Sequence, residues 1–166
     1  VGEAAATVHN NTAIMTVALS ELHLWNIGSP ELYDIEFTLG EDNVKSYFGM
    51  RTVDFDGGMF RLNGRKVFQR LILDQGYYPD GLYTAPSDEE LQNDIKRSMA
   101  MGFNGARLHQ KVFEPRFLYH CDRMGYIVWG EFDDWGLNTS LEGAWRGILP
   151  EWLEILQRDY NHPSIV

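Results

Sequence analysis

Hydrophobic and polar residues alternate along the first part of the chain, a pattern typical of β-strands. The alternation predicts three strands, at residues 12–19, 32–39 and 44–48. Turn-forming residues stand around them, namely Asn10-Asn11, Gly28-Ser29-Pro30 and Gly40-Glu41-Asp42-Asn43. Residues 1 to about 57 therefore read as an all-β stretch with too few strands for a complete sandwich.

A β-hairpin is predicted next. Two apolar-alternating runs, at residues 59–62 and 66–73, flank Asn63-Gly64, and this dipeptide is the strongest short-range hairpin signal. The second run continues as unbroken apolar sequence to Leu73. Such a run is expected of a strand that is buried on both faces.

After Gly81 the hydrophobic period changes from two residues to about 3.6, which is the period of an α-helix. Ser87 and Glu90 form a capping box that opens a helix, and Gly102 closes it. The apolar face of this helix consists of Leu91, Ile95 and Met99.

Strands and helices then alternate to the end of the chain. Strands are predicted at residues 103–108 and 126–132, and helices from Pro115 to Gly125 and from about Pro150, with a further strand beginning at Ile165. Repeated β-then-α units predict a parallel sheet with right-handed crossovers, either in a (β/α)₈ barrel or in an open doubly wound sheet. No glycine-rich phosphate loop follows the first strand, which argues against nucleotide binding. Eight units need ~250 residues, so we expect a β-sandwich remnant followed by less than half a barrel.

Composition narrows the classes of ligand. The chain has 24 acidic and 14 basic residues and a formal charge of −10, which disfavours nucleic-acid binding and is compatible with neutral ligands such as sugars. No apolar run approaches the ~20 residues that span a membrane, and no signal segment is visible, so no membrane partner is expected. The one cysteine, Cys121, excludes an internal disulfide and lies on an apolar helix face, where we expect it to pack. No cofactor is expected.

Candidate site residues follow the predicted strands, because the chemistry of a parallel barrel lies where its strands end. Carboxylates, basic groups and flat aromatic rings suit a sugar pocket. The candidate substrate-binding residues are Asp74, Arg107, His109, Glu131, Asp133 and Trp135.

Several of these residues admit two interpretations. Glu131 and Asp133 lie two apart on a strand and could be a catalytic pair of carboxylates, or one could support its neighbours while the other is solvated. Arg107 could contact substrate or form an ion pair, for example with Glu131. His109 has no second His or Cys at ligand spacing, so no metal is expected. Trp135 is the candidate platform for stacking a sugar ring.

Six segments of the chain form a distinctive series: Leu24-Trp25 with Pro30-Tyr33, Phe48-Arg51, Phe60-Gly64, Gly102-Arg107, Cys121-Gly125 and Arg158-Ile165. In this order and at this spacing they resemble glycoside hydrolase family 2, which includes β-galactosidases, β-glucuronidases and β-mannosidases. The resemblance implies the C-terminal part of an immunoglobulin-like β-sandwich at residues 1–57. It further implies the first ~3 βα units of a (β/α)₈ TIM barrel at residues 58–166.

The resemblance also implies a function, hydrolysis of β-glycosides with retention by two glutamates. Both glutamates are expected beyond residue 166, so we expect an internal fragment that is inactive by itself. The segments after the first three barrel strands depart from those of the commoner members, which leaves the sugar open. Two alternatives remain: a non-catalytic carbohydrate-binding protein, and a barrel enzyme that uses Glu131 and Asp133.

A barrel that is not closed is expected to self-associate. Unpaired strand edges and one apolar sheet face would remain uncovered, so we expect marginal stability or self-association through these strands. Sedimentation and thermal melting of the dilute chain check this expectation. A sharp, cooperative melt of a dilute monomer would contradict it.

Overall fold

The first half of the chain forms antiparallel hairpins. The computed structural model describes residues 2–133, 135–138 and 140–166. Strands β1 (Tyr33–Leu39) and β2 (Asp42–Phe48) pair from Tyr33 opposite Phe48 to Leu39 opposite Asp42. Gly40 takes a positive φ of 61° at the turn between them, a conformation that glycine adopts without strain. These two predicted strands are confirmed.

The strand predicted at residues 12–19 is wrong. The described structure has one isolated bridge there, between His9 and Thr12, and no ladder along the rest of the segment. Ile14, which an alternating strand would bury, is 85% exposed. Alternation predicts which face a strand would bury, but a strand forms only where another strand pairs with it.

A second antiparallel sheet contains β3 (Val53–Asp56), β4 (Met59–Leu62) and β5 (Arg65–Lys66). The predicted turn is confirmed, since Asn63 and Gly64 both have positive φ, as a two-residue hairpin turn requires. The predicted second arm is shorter than expected. Only Arg65 and Lys66 form its ladder with β4, and the apolar sequence from Leu71 onward enters a different sheet.

That sheet is parallel and its strand order follows the chain. Strands β6 (Leu71–Asp74), β7 (Gly105–Leu108) and β8 (Ile127–Trp129) are neighbours in that order. Ile165 adds a parallel bridge to Val128 on the far side of β8. Each crossover contains one helix, α1 (Asp88–Ala100) or α2 (Pro115–Met124), and α3 (Trp145–Asp159) precedes the bridge at Ile165.

The helix ends show which local signals decide them. The Ser87 hydroxyl accepts the Glu90 N–H at 3.3 Å at the start of α1, and Gly125 ends α2 with φ 66°. Helix α3 begins at Trp145, five residues before the predicted start, and Pro150 lies inside it. We expected Pro150 to mark the first turn of α3, because proline removes a backbone donor that a helix interior needs. In the structure the helix tolerates this loss, and Pro150 does not mark where α3 begins.

One face of the parallel sheet packs under the helices. Ala106, Leu108 and Val128 belong to a buried cluster with side chains of α1 and α2. The helix residues in this cluster are Leu91, Ile95, Phe117, Leu118 and Cys121. Cys121 is fully buried, as predicted, and burial raises the pKa of its thiol well above the ordinary value. No described helix is long and apolar enough to cross a membrane.

The opposite face of the sheet is covered at one end only. Ile127 packs in a second cluster with Trp25, Phe60 and Leu62, which come from the segments before the parallel sheet. Toward the carboxyl ends of the strands, the register partners Leu73, Arg107 and Trp129 are all exposed. Leu73 is 58% and Trp129 42% exposed, so an apolar strip of the sheet faces solvent.

Asp122 on α2 joins three parts of the fold. Its carboxylate is fully buried and accepts the Tyr47 O–H at 2.7 Å and the Ser164 N–H at 3.0 Å. The His162 Nδ1 lies 2.5 Å from it, and the Trp25 indole donates to its backbone oxygen at 2.7 Å. Burial, followed by the hydrogen bond to Asp122, raises the pKa of Tyr47 above its ordinary value.

Arg51 reinforces this junction from the β2 side. Its Nε donates to the Pro163 carbonyl at 2.6 Å and its Nη2 donates to the Ile165 carbonyl. A Cβ at Gly49 would lie 2.8 Å from the Pro163 ring, so the closeness of these two segments requires glycine. The segment that leads to Ile165 is therefore clamped between the first hairpin and α2.

Loss of the Asp122 carboxylate is expected to be costly. Asp122→Ala leaves buried donors without an acceptor and should lower the free energy of unfolding by about 3 kcal/mol. Tyr47→Phe removes one hydrogen bond and should lower it by about 1 kcal/mol. Urea unfolding gives both values, with the exposed Glu151→Gln as the matched control. Equal effects of Asp122→Ala and Glu151→Gln would contradict a structural role for the junction.

Candidate functional site

Four of the six predicted site residues meet at the carboxyl edge of the parallel sheet. Asp74 is the last residue of β6, Arg107 lies in β7, His109 follows β7 directly, and Glu131 lies two residues after β8. The His109 N–H donates to the Asp74 carbonyl at 2.7 Å, which joins the first two strand ends. The parallel register places these residues side by side, as the strand-end argument predicts.

Glu131 is the centre of this group. One carboxylate oxygen accepts the Arg107 Nε–H, and the other lies 3.1 Å from the His109 Nδ1. The second oxygen also accepts the backbone N–H of Gln110 at 3.1 Å. Gln110 has a φ of 51°, a left-handed conformation that is uncommon for a residue other than glycine. The backbone turns sharply here, and the turn directs an N–H at the carboxylate.

The surroundings of Glu131 favour its ionised form. Burial by itself raises its pKa, but the hydrogen bonds from Arg107, from the Gln110 N–H and from His109 outweigh burial, and the net pKa is lowered. Of the two interpretations of Arg107, an ion pair with Glu131 is present, and the guanidinium remains partly exposed beside it. A carboxylate held in this way is a poor proton donor near neutral pH.

Asp74 has the opposite character. Burial raises the pKa of its carboxyl group, and the Gly76 N–H, which donates to it at 2.8 Å, only partly offsets that effect. Nearby Asp94 raises the pKa further, whereas Lys111 lowers it. The carboxyl groups of Asp74, at the end of β6, and of Glu131, after β8, therefore have pKa values shifted in opposite directions.

A cleft of about 390 Å³ opens beside this group. Three of the predicted residues, His109, Asp133 and Trp135, line it. The other lining residues are Gln75, Tyr77, Tyr83, Gln110 and Lys111. The six predicted substrate-binding residues do not include Tyr77, Tyr83 or Lys111. The aromatic residues of the loop after β6 were a signal, but nothing in the sequence shows that this loop returns to the end of β7.

Asp133 and Trp135 stand apart from the Glu131 group. The Trp135 N–H donates to the Asp133 carboxylate at 3.4 Å, and the indole is 75% exposed. Asp133 is thus not hydrogen-bonded into the network of Glu131 within the described residues. The described ranges also contain no cluster of three or more His, Cys, Asp or Glu residues that could hold a metal ion.

The chain is similar to known glycosidases. Residues 2–51 match the model of the family described as "Glycosyl hydrolases family 2". A β-galactosidase of Thermoanaerobacterium thermosulfurigenes is 29% identical over 153 residues, which is 89% of this chain and 21% of the relative. A β-glucuronidase of Streptococcus agalactiae is 27% identical over 171 residues, or 89% of this chain and 28% of the relative.

A solved structure shows the same architecture. The β-galacturonidase of family 2 from Eisenbergiella tayi, bound to galacturonate, superposes with a TM-score of 0.83 at 26% identity. The match covers 93% of this chain and 28% of that one. The chain spans about a fifth of the length of the curated relatives that it matches.

The pKa of Glu131 makes stability depend on pH in a definite direction. A carboxyl group with a lowered folded-state pKa stabilises the fold above its unfolded pKa of roughly 4.3, and this stabilisation is lost as pH falls through the folded-state pKa. Glu131→Gln should cost about 1 kcal/mol at pH 7, and this difference from the wild type should shrink below about pH 4.

Urea unfolding at a series of pH values measures this effect. Glu154→Gln is the matched control, since Glu154 is exposed on α3. A difference between wild type and Glu131→Gln that stays constant from pH 7 to pH 3 would contradict the role assigned to these hydrogen bonds.

Proposed function

Because the chain belongs to glycoside hydrolase family 2, we propose that it is part of a retaining β-glycosidase that hydrolyses β-linked sugars. The observation that carries this proposal is the arrangement at the carboxyl edge of β6, β7 and β8. An ionised carboxylate with bound Arg and His stands there beside a cleft with aromatic and amide side chains. These are the groups that orient sugar hydroxyls and accommodate the C–H faces of sugar rings.

In this proposal residues 58–166 are the first three βα units of a (β/α)₈ barrel. Support comes from the strand order β6-β7-β8, from one helix in each crossover and from the parallel bridge at Ile165, which lies where a fourth strand would run. Residues 1–57 would be part of an immunoglobulin-like sandwich, of which β1 and β2 form one hairpin. The second cluster, around Trp25, would close the bottom of the barrel.

Glu131 is proposed as a positioning residue. Its lowered pKa and its donors suit a group that fixes Arg107 and His109 more than one that exchanges protons during a reaction. The Asp133 carboxylate accepts the Trp135 N–H of its own loop, and no hydrogen bond among the described residues joins it to the Glu131 group, which argues against a cooperating carboxylate pair. We infer that the two catalytic glutamates are outside residues 1–166.

Substrate contact is proposed for the six predicted residues. His109, Asp133 and Trp135 line the cleft, and Asp74, Arg107 and Glu131 would contact the sugar from the strand ends beside it. The similar proteins are named as enzymes of galactosides, glucuronides and galacturonides. A substrate panel must therefore include both neutral and acidic sugars.

Aryl β-glycosides test this assignment. The chain by itself should release no aryl alcohol from β-galactoside, β-glucuronide or β-galacturonide substrates, because neither catalytic glutamate is present. The resemblance to family 2 implies that the acid/base glutamate stands in an Asn-Glu pair at the end of the fourth barrel strand, so the coding sequence read on past residue 166 should give such a pair shortly afterwards. The longer protein should turn over at least one substrate of the panel.

Two outcomes would overturn the proposal. Turnover by the chain alone that Glu131→Gln abolishes, while Glu154→Gln leaves it intact, would make this a barrel enzyme that uses Glu131 itself. Sugar binding without any Asn-Glu pair and without turnover by the longer protein would make it a carbohydrate-binding protein.

A further inference from the structure

Lys111 joins two loops around the cleft, its own loop after β7 and the loop between β6 and α1. Its Nζ donates to the carbonyl of Gly76, in the loop after β6, at 2.6 Å. It also donates to the carbonyl of Tyr83, in the loop before α1, at 2.9 Å. Lys111 itself lies in the loop after β7, so one ammonium group connects segments that are 28 and 35 residues away along the chain.

Two aromatic rings and a glycine surround the Lys111 ammonium group closely. Its nitrogen lies 5.1 Å from the ring centroid of Tyr83 and 5.0 Å from that of Phe113, at cation–π distance. A Cβ at position 76 would lie 2.7 Å from the nitrogen and 2.9 Å from the Phe113 ring, and Gly76 has φ +60°. Glycine is therefore required at position 76 for Lys111 to reach its place.

Its contacts distinguish Lys111 from an ordinary surface lysine. Both of its described hydrogen bonds go to backbone carbonyls, which fix the course of the loops, and not to a mobile carboxylate. Burial lowers the pKa of its ammonium group, although Asp74 and Glu114 act in the opposite direction. Partial burial of a charge in this position costs free energy. The hydrogen bonds of the ammonium group, which order the two loops, offset this cost.

The loop between β6 and α1, which Lys111 fixes, carries two paired tyrosines. The rings of Tyr77 and Tyr83 lie 4.7 Å apart between centroids, and the Tyr77 O–H donates to the Tyr83 hydroxyl at 2.5 Å. Both side chains are more than half exposed, and both line the cleft together with Trp135. These two exposed aromatic rings are not part of the hydrophobic core. Core packing therefore does not explain why they are paired at the cleft.

We propose that Tyr77 and Tyr83 form a wall on which the apolar face of a β-linked pyranose ring stacks, and that Lys111 is the positioning residue that holds this wall. The inference rests on the proposed glycosidase function and adds a ligand contact to it. A pyranose presents a C–H face that packs on an aromatic ring and hydroxyls around its rim. Gln75, His109 and Asp133 line the same cleft and offer polar groups to such a rim.

Sugar binding by substituted forms of the full chain tests the wall. Calorimetric titration with methyl β-D-galactopyranoside and methyl β-D-glucuronide gives the Kd of each variant. Tyr83→Ala and Tyr77→Ala should each raise the Kd of the sugar that binds by about tenfold, because a stacked ring is lost. Tyr83→Phe keeps the ring face and should restore most of the affinity.

Lys111→Met tests the positioning role. Methionine keeps the apolar stem but removes both hydrogen bonds to the loops, so the Kd should rise by about threefold to tenfold with both tyrosines still present. Lys96→Met, at an exposed lysine on α1, is the matched control for charge. Tyr160→Ala is the control for loss of an exposed ring, since Tyr160 is 90% exposed at the end of α3.

The outcomes separate this inference from the function on which it rests. Unchanged affinity in both tyrosine-to-alanine variants overturns the wall and leaves the glycosidase proposal standing. A loss in Lys111→Met no greater than in Lys96→Met overturns the positioning role. Absence of binding of either sugar to the wild-type chain, whose fold a thermal melt verifies, overturns the wall, whereas the aryl glycoside assay of the longer protein decides the proposed function separately.

Discussion

The buried carboxylate of Asp122 is the constraint on which the arrangement of this chain depends. An ion removed from water costs several kcal/mol unless donors replace the water, and here Tyr47, His162 and the Ser164 N–H replace it. These donors come from the first hairpin and from the end of the chain. A single side chain of α2 therefore determines where the hairpin lies against the parallel sheet and where Ile165 reaches β8.

Local signals predicted local structure well. The Ser87 cap, the Asn63-Gly64 turn and the Gly125 helix end are each decided within a few residues, and each is found where the sequence indicates. The prediction of a strand at residues 12–19 was wrong because a strand needs a pairing partner, and the alternation of residues does not show whether one is present. Tyr47 and Asp122 are 75 residues apart, and no local pattern could have paired them. The segments that contain Asp122 and His162 were conspicuous in the sequence, but the bond between them was not predictable.

The candidate site shows the same division. Strand ends are predictable, so Asp74, Arg107 and Glu131 were found from the period of the sequence and their neighbourhood followed from parallel pairing. Lys111 and Tyr83 were missed because their roles arise from the course of loops. The path of a loop depends on single contacts, such as the close approach of Lys111 to Gly76. The periodicity of the sequence does not reveal such contacts.

The junction at Asp122 also limits how such proteins can be recombined. A hairpin transplanted from a relative would have to bring a hydroxyl at the position of Tyr47 and a guanidinium at that of Arg51. Without them the recipient would contain a buried anion that lacks a donor and a chain segment that lacks its clamp. The hairpin and the sheet are thus separate in topology but depend on one set of matched residues. Successful exchange of domains would have to cut the chain outside this set.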